Sequence, residues 1–265
     1  VRRTAVAFFA TLDDATRTVA AIGHAGYLPV TLELMDSVCI NVVEDHAALG
    51  LRRDAEALLI LETDGSHDAV TLEELEAIAE VCRQNGSLEV RLATSNAERE
   101  AIWAARRSIN SALARVRPSR LGEDIVVPRA NVPDLVRRIR SISDETGLPI
   151  AVFGHAGDGN MHPNILFDRS REGELARVEA AAAGIFRAAL ALGGTLSGEH
   201  GIGTLKKAFL EEDLGPEAVD VMRSIKQALD PNGILNPHKV FPDAPGEARS
   251  GFLTALPTLE GHVPG

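Results

Sequence analysis

The run Gly154-His155-Ala156-Gly157-Asp158-Gly159-Asn160-Met161-His162-Pro163-Asn164 sets two histidines on either side of a turn made of glycine and acid. Downstream comes Ser197-Gly198-Glu199-His200-Gly201-Ile202-Gly203. No other stretch of the chain is as dense in ligand-type residues. Imidazole nitrogens and carboxylate oxygens are ordinary ligands of a divalent cation, and three protein ligands leave one position open for substrate. His155 and His162 supply two ligands, and Glu199 is the natural third. Zinc suits such a set first, with manganese or iron as alternatives. The pattern therefore reads as a metal site with a catalytic base beside it. The turn also has a plainer use, because Gly-Asp-Gly-Asn is what a tight hairpin needs at positive φ. Asp158 is then either an orienter of a ligand histidine or simply a turn former.

Short apolar runs at 149–153 and 165–167 flank the first motif and are bounded by Gly and Pro, as strands are. In a hairpin, His155 and His162 are expected to face each other across its mouth. The rest of the chain alternates strands and helices. Strands are expected over 5–10, 28–34, 57–62, 87–92 and 124–127. Helices are expected over 13–25 with Asp13 as cap, 72–84, 96–116, 132–146, 171–192 and 216–229. The order βαβ then αβαβ suggests an imperfect duplication of a split βαβ unit. The predicted fold class is α+β, a largely antiparallel sheet covered by helices and built from ferredoxin-like units. It spans residues 1–241, with a loosely ordered tail over 242–265.

Composition narrows the function. The chain has 265 residues, is 45% hydrophobic and carries a net charge of −11. Such a chain folds, and its acidity disfavours nucleic acid as a partner. Its two cysteines, Cys39 and Cys82, sit in apolar contexts. They offer no disulfide scaffold, and a reduced cytoplasmic compartment is expected. No apolar run reaches membrane-spanning length. The start, Val1-Arg2-Arg3-Thr4, has neither a Met nor the apolar core of a signal peptide, so the second half of something longer is expected. There is no Walker A, no GxGxxG after a strand and no HExxH.

Several further motifs join the two histidine motifs: Leu32-Glu33-Leu34-Met35-Asp36, Trp103-Ala104-Ala105-Arg106, Glu123-Asp124-Ile125-Val126-Val127-Pro128, and Ile234-Leu235-Asn236-Pro237-His238-Lys239-Val240. Together they resemble the C-terminal domain of FAD-linked oxidases of the vanillyl-alcohol oxidase type. The group most resembled contains D-lactate dehydrogenase, the D subunit of glycolate oxidase and D-2-hydroxyglutarate dehydrogenase. The resemblance runs to about Phe241. It implies metal ligation by His155, His162 and Glu199, and a base role for His200. It implies that Arg106 grips a substrate carboxylate, that Asn164 contacts substrate and that Asn236 lies close to flavin. Some relatives carry a lysine where this chain has Gly122, which favours a small 2-hydroxy acid over a dicarboxylate. Lys239 stands where a glycine is commoner. FAD in such proteins is held mainly by a separate N-terminal domain whose glycine-rich signature this chain lacks. A flavin-binding domain or subunit is therefore an expected partner, and self-association through the uncovered face is another.

The residues themselves leave other roles open. Arg106 suits either a carboxylate clamp or a salt bridge on its own helix face. Asn164 also completes a hairpin, Asn236 before Pro237 also makes a turn, and Asp36 also caps a helix. Glu33 is placed to approach the site. Trp103 reads as packing, and His24, His46, His67 and His262 as surface residues. Three functions compete: the substrate and metal half of a flavin-dependent 2-hydroxy-acid oxidoreductase, a binding module that has lost its flavin half, and a metal-dependent hydrolase.

Overall fold

The computed structural model describes residues 1–242. The expected tail lies, beyond Pro242, outside the described residues, as does His262. The chain opens with β1 (Arg2–Phe9), α1 (Leu12–His24), β2 (Thr31–Asp36), α2 (Ser37–Ala47), β3 (Ala57–Asp64), α3 (Asp68–Gln84) and β4 (Ser87–Leu92). Next come α4 (Asn96–Leu113) and two short strands, β5 (Ser119–Gly122) and β6 (Ile125–Val126). Helix α5 (Val132–Thr146) leads into the hairpin β7 (Ile150–His155) and β8 (Asn160–Phe167), followed by α6 (Glu174–Ala191). Short helices α7 (Gly203–Lys206) and α8 (Leu210–Leu214) precede α9 (Pro216–Leu229).

Eight strands join one sheet in the order β4-β1-β3-β2-β7-β8-β5, with β6 paired to β8. Every one of these pairings is antiparallel. The two βαβ passages β1-α1-β2 and β3-α3-β4 interleave as β4-β1-β3-β2, the split unit the sequence suggests. The strands β7, β8 and β5 extend this unit along the edge strand β2.

Helices cover both faces, which explains why the central strands read as unbroken apolar runs. Side chains alternate across a strand. Ala5, Ala7, Phe9, Leu59, Leu61, Ile150, Val152, Met161 and Ile165 point into one core with α1, α3, α5 and α6. Val6, Phe8, Met35, Leu58, Ile60, Ala151, Phe153 and Leu166 point into the other, packed against α2 and α4. Even-numbered positions of β8 and odd-numbered positions of β2 and β7 thus share the second face. His162, Asn164, His155 and Glu33 all belong to it.

Three expectations need correction. The strand expected at 28–34 begins only at Thr31, because Leu28 is 73% exposed and Val30 49% exposed in the approach to it. The strand expected at 124–127 is reduced to Ile125–Val126, and the pairing with β8 begins earlier, in β5. Thr11, not Asp13, caps α1: the Thr11 hydroxyl accepts from the Asp14 N–H. Helix α2 lies outside the helices expected above, because Ser37-Val38-Cys39-Ile40-Asn41 is poor in strong helix formers. Its start signal was present all the same. Asp36 is the cap: one carboxylate oxygen accepts from Cys39 N at 2.9 Å and the other from Val152 N at 2.8 Å. Asp36 therefore ties α2 to β7 and lies behind the site.

Candidate active site

The hairpin puts both histidines on the second face, but not directly opposite each other. His155 pairs with Asn160, and His162 with Phe153. The two imidazoles are diagonal neighbours, which the spacing of a pleated pair allows. Their ring centroids lie 5.2 Å apart at an interplanar angle of 89°. The tight turn between the strands depends on Gly159 at φ +83°, where a Cβ would sit 2.0 Å from the carbonyl oxygen of Val127. Asp158 acts here as a turn former: its carboxylate accepts from Asn160 N at 3.0 Å.

Glu199 reaches the pair from the loop between α6 and α7. Its Oε1 lies 3.4 Å from His162 Nε2 and 3.9 Å from His155 Nε2. One ligand atom from each of the three residues falls within 4.8 Å of the others. No other such group occurs among the described residues. The donor set fits a divalent cation. His155 Nδ1 is bonded to the Glu33 carboxylate of β2, which leaves Nε2 to face the site. Fixing the far nitrogen of a ligand histidine in this way is the usual support for a metal. The Glu33 bond raises the pKa of His155 against the burial that lowers it. Burial pushes the Glu33 carboxyl up, but its bonds to His155 and Arg106 win and hold it below the usual range. His162 goes the other way: burial lowers its pKa, and the neighbouring His155 adds to this. A neutral imidazole is the ligating form.

The loop carrying Glu199 and His200 is moored by Asp124, which is fully buried. A single oxygen, Oδ2, accepts from the Ser197 hydroxyl at 2.7 Å and from the N–H groups of Gly198, Glu199 and His200 at 3.0, 3.0 and 2.8 Å. Burial would push this carboxyl up. The donors, led by the His200 amide, outweigh it and bring it down to about 2. His200 stacks on His162, with centroids 5.5 Å apart and planes 17° apart, and its Nε2 lies 3.5 Å from Glu199 Oε1. Beside it, burial drives the Glu123 carboxyl up to about 8, against the opposing pull of Lys206, whose Nζ lies 4.0 Å away.

These groups line one cleft of about 400 Å³, together with Arg106, Asn110, Arg120, Phe153 and Asn164. Six of the seven predicted site residues thus meet: His155, His162, Glu199, His200, Arg106 and Asn164. Arg106 does not pair on its own helix face. Its Nε donates to Glu33 at 2.7 Å, and its guanidinium lies 4.6 Å above the Phe153 ring. Asn164 is buried, and its amide donates to the His162 carbonyl at 3.0 Å. The seventh, Asn236, sits in an exposed loop after α9 at φ +44° and does not line the cleft. Gly122 pairs with Asn164, and a Cβ there would come 2.9 Å from the Asn164 amide oxygen. Sequence reasoning missed Arg120 and the mooring role of Asp124. The only signal for either was an acidic pair, Glu123-Asp124, set against an apolar strand.

The sequence model of the family described as FAD linked oxidases, C-terminal domain, matches residues 1–240. The chain belongs to this family. It is 41% identical over 240 residues to the glycolate oxidase subunit GlcD of Bacillus subtilis, covering 91% of this chain and 51% of that protein. It is 34% identical to a probable mitochondrial D-lactate dehydrogenase of Danio rerio, over 89% of this chain and 48% of that protein. The chain spans about half the length of the curated relatives it matches. A solved structure of p-cresol methylhydroxylase with substrate bound superposes with a TM-score of 0.71 over 91% of this chain and 52% of that one. At 12% identity that likeness shows the fold alone. Among the described residues no helix is long and apolar enough to cross a membrane.

Proposed function

We propose that this chain is the substrate- and metal-binding half of an FAD-dependent oxidoreductase acting on a small D-2-hydroxy acid of the lactate or glycolate type. The observation that carries this reading is the convergence of His155, His162 and Glu199 within 4.8 Å, with His200 stacked alongside. Membership of the FAD-linked oxidase family supports FAD as the cofactor.

A divalent cation held by His155, His162 and Glu199, zinc or else manganese or iron, supplies Lewis acidity toward the substrate hydroxyl. FAD supplies the two-electron acceptor for the hydrogen on C2. The rest falls to this chain. His200 Nε2 faces Glu199, so a hydroxyl placed beside Glu199 is within its reach, and His200 takes the proton. Arg106 and Asn164 orient the acid in the cleft. The flavin resides on a domain or subunit outside these residues, with Asn236 on the side that meets it. Helix α9 supports such a contact: Val221, Ile225 and Leu229 are all exposed along one side of it, and Ile234 and Leu235 follow. Apolar patches of this kind mark interaction surfaces, and a second copy of the chain is the other occupant to test. Two free, buried thiols, Cys39 and Cys82, fit a reducing cytoplasmic setting.

Two variants test the reading in the flavin-containing enzyme. His162→Ala is expected to lose the metal. His200→Asn is expected to keep the metal and lose turnover by about 100-fold or more. Equal metal content in wild type and His162→Ala would overturn the ligand set. Metal loss in His200→Asn would move that residue from base to ligand.

A further inference from the structure

Lysine is seldom buried unless something pairs with it. Lys206 is the one buried lysine among the described residues. It closes α7, shortly after the loop that carries Glu199 and His200. Its Nζ donates to the Asp124 carbonyl at 2.8 Å and lies 3.8 Å from Asp124 Oδ2 and 4.0 Å from Glu123 Oε2. Both acids are buried as deeply as the lysine. Two adjacent carboxyl groups and one ammonium therefore share a space shut off from water. The loop is tied to Asp124 from both sides. On entry, the Ser197 hydroxyl and the amides of Gly198, Glu199 and His200 converge on Oδ2. Ser197 Oγ in turn accepts from Gly201 N at 2.7 Å. On exit, Lys206 holds the backbone carbonyl of the same aspartate.

We propose that Lys206 is a positioning residue: its ammonium fixes Asp124 and balances its charge, and through Asp124 it holds Glu199 and His200 in place. An ionised carboxylate is an acceptor only, so one oxygen can take a hydroxyl and several amides without a competing proton. A buried carboxylate keeps its charge only where donors or an opposite charge compensate it. The four donors on Oδ2 supply part of that compensation. Lys206 supplies the rest, and it is the one lysine or arginine within 4.0 Å of Asp124 among the described residues. Lys206 does not line the cleft, so its influence on the reaction passes through the residues it touches. Asp124 leads to the loop, whereas Glu123 has no hydrogen bond from its carboxyl oxygens to any described residue.

This assignment rests on the ligand and base roles proposed above, and the test separates the two. Lys206→Met removes the charge at similar length, and Lys206→Gln removes it but keeps a donor. Both are compared with wild type, Asp124→Asn and the Lys206→Met/Asp124→Asn double variant in the metal-free, flavin-containing enzyme. Hydrogen exchange at the amides of Gly198, Glu199 and His200 should speed about tenfold or more in either lysine variant, with the amides of β7 and β8 unchanged. Calorimetric titration with Zn²⁺ and with Mn²⁺ should show affinity lower by about tenfold or more. In the Asp124→Asn background Lys206→Met should add little further loss, because both changes act on one contact. With metal in excess and D-lactate as substrate, kcat should fall more than KM rises. Unchanged exchange at the three amides overturns the assignment. Additive losses in the double variant also overturn it, since Lys206 would then act other than through Asp124. Global unfolding of both lysine variants would show a residue required by the fold as a whole and would likewise overturn it. Faster exchange confined to the loop, with neither metal bound even by wild type, would sustain the hold of Lys206 on the loop and overturn the proposed ligand set.

Discussion

Asp124→Asn is the most informative single change. It preserves side-chain volume and removes one charge. In the wild type Oδ2 gathers four donors at 2.7–3.0 Å, three of them consecutive backbone amides. The carboxyl falls from an ordinary 3.8 to about 2 in the folded protein. At about 1.4 kcal/mol for each tenfold change, that difference corresponds to about 2 kcal/mol of folding stability near neutral pH. The sign follows from the lowered pKa: the contribution is complete above the unfolded value and is lost as pH falls through the folded one. Denaturant melts of wild type and Asp124→Asn should therefore differ by about 2 kcal/mol at pH 6–7. The gap should narrow between pH 4 and pH 2, where the wild-type carboxylate takes up its own proton. A second consequence concerns the metal. Oδ1 of Asp124 and Nδ1 of His162 are both buried without a hydrogen-bond partner and lie 4.0 Å apart. A small approach would join them when His162 ligates. On the proposed ligand set, the substitution changes the group that faces His162 Nδ1 and loosens the loop that carries Glu199, and metal affinity should fall about 10–100-fold. Equal stability at neutral pH, or a gap that does not close in acid, would refute the charge argument. Unchanged metal affinity would show that the loop holds its place without Asp124.

Glu33→Gln should return the His155 pKa toward its ordinary value, seen as a downward shift in its NMR titration in metal-free protein. It should also weaken metal binding about 10–100-fold, and an unmoved titration would contradict the assigned cause. Gly159→Ala should destabilise the fold by more than about 2 kcal/mol in a thermal or denaturant melt. The turn needs positive φ there and the Val127 carbonyl occupies the space of a Cβ, so a near-neutral result would mean that the hairpin re-forms another way.

Much of this molecule was legible in order of residues. Alternating apolar runs and caps located most elements, two histidines at hairpin spacing marked out His155 and His162, and the downstream Glu-His pair marked out Glu199. Chemistry confined to a few contiguous residues survives in sequence, because a turn of Gly-Asp-Gly-Asn and an adjacent Glu-His pair are local facts. Pairing between distant strands is not local. The register of β2 against β7 sets Glu33 beside His155 across 122 positions, and nothing near either residue specifies it. The same holds for Asp124 under the loop of residues 197–200, which became a mooring only when an apolar strand carried it below three amides. Arg106 and Arg120 show the limit most plainly. Both are arginines in the sequence, and only tertiary contact decides that Glu33 neutralises the charge of one while two amide oxygens hold the other. A charge is written in the residue type; its neutralisation depends on which carboxylate the fold brings within a few ångströms.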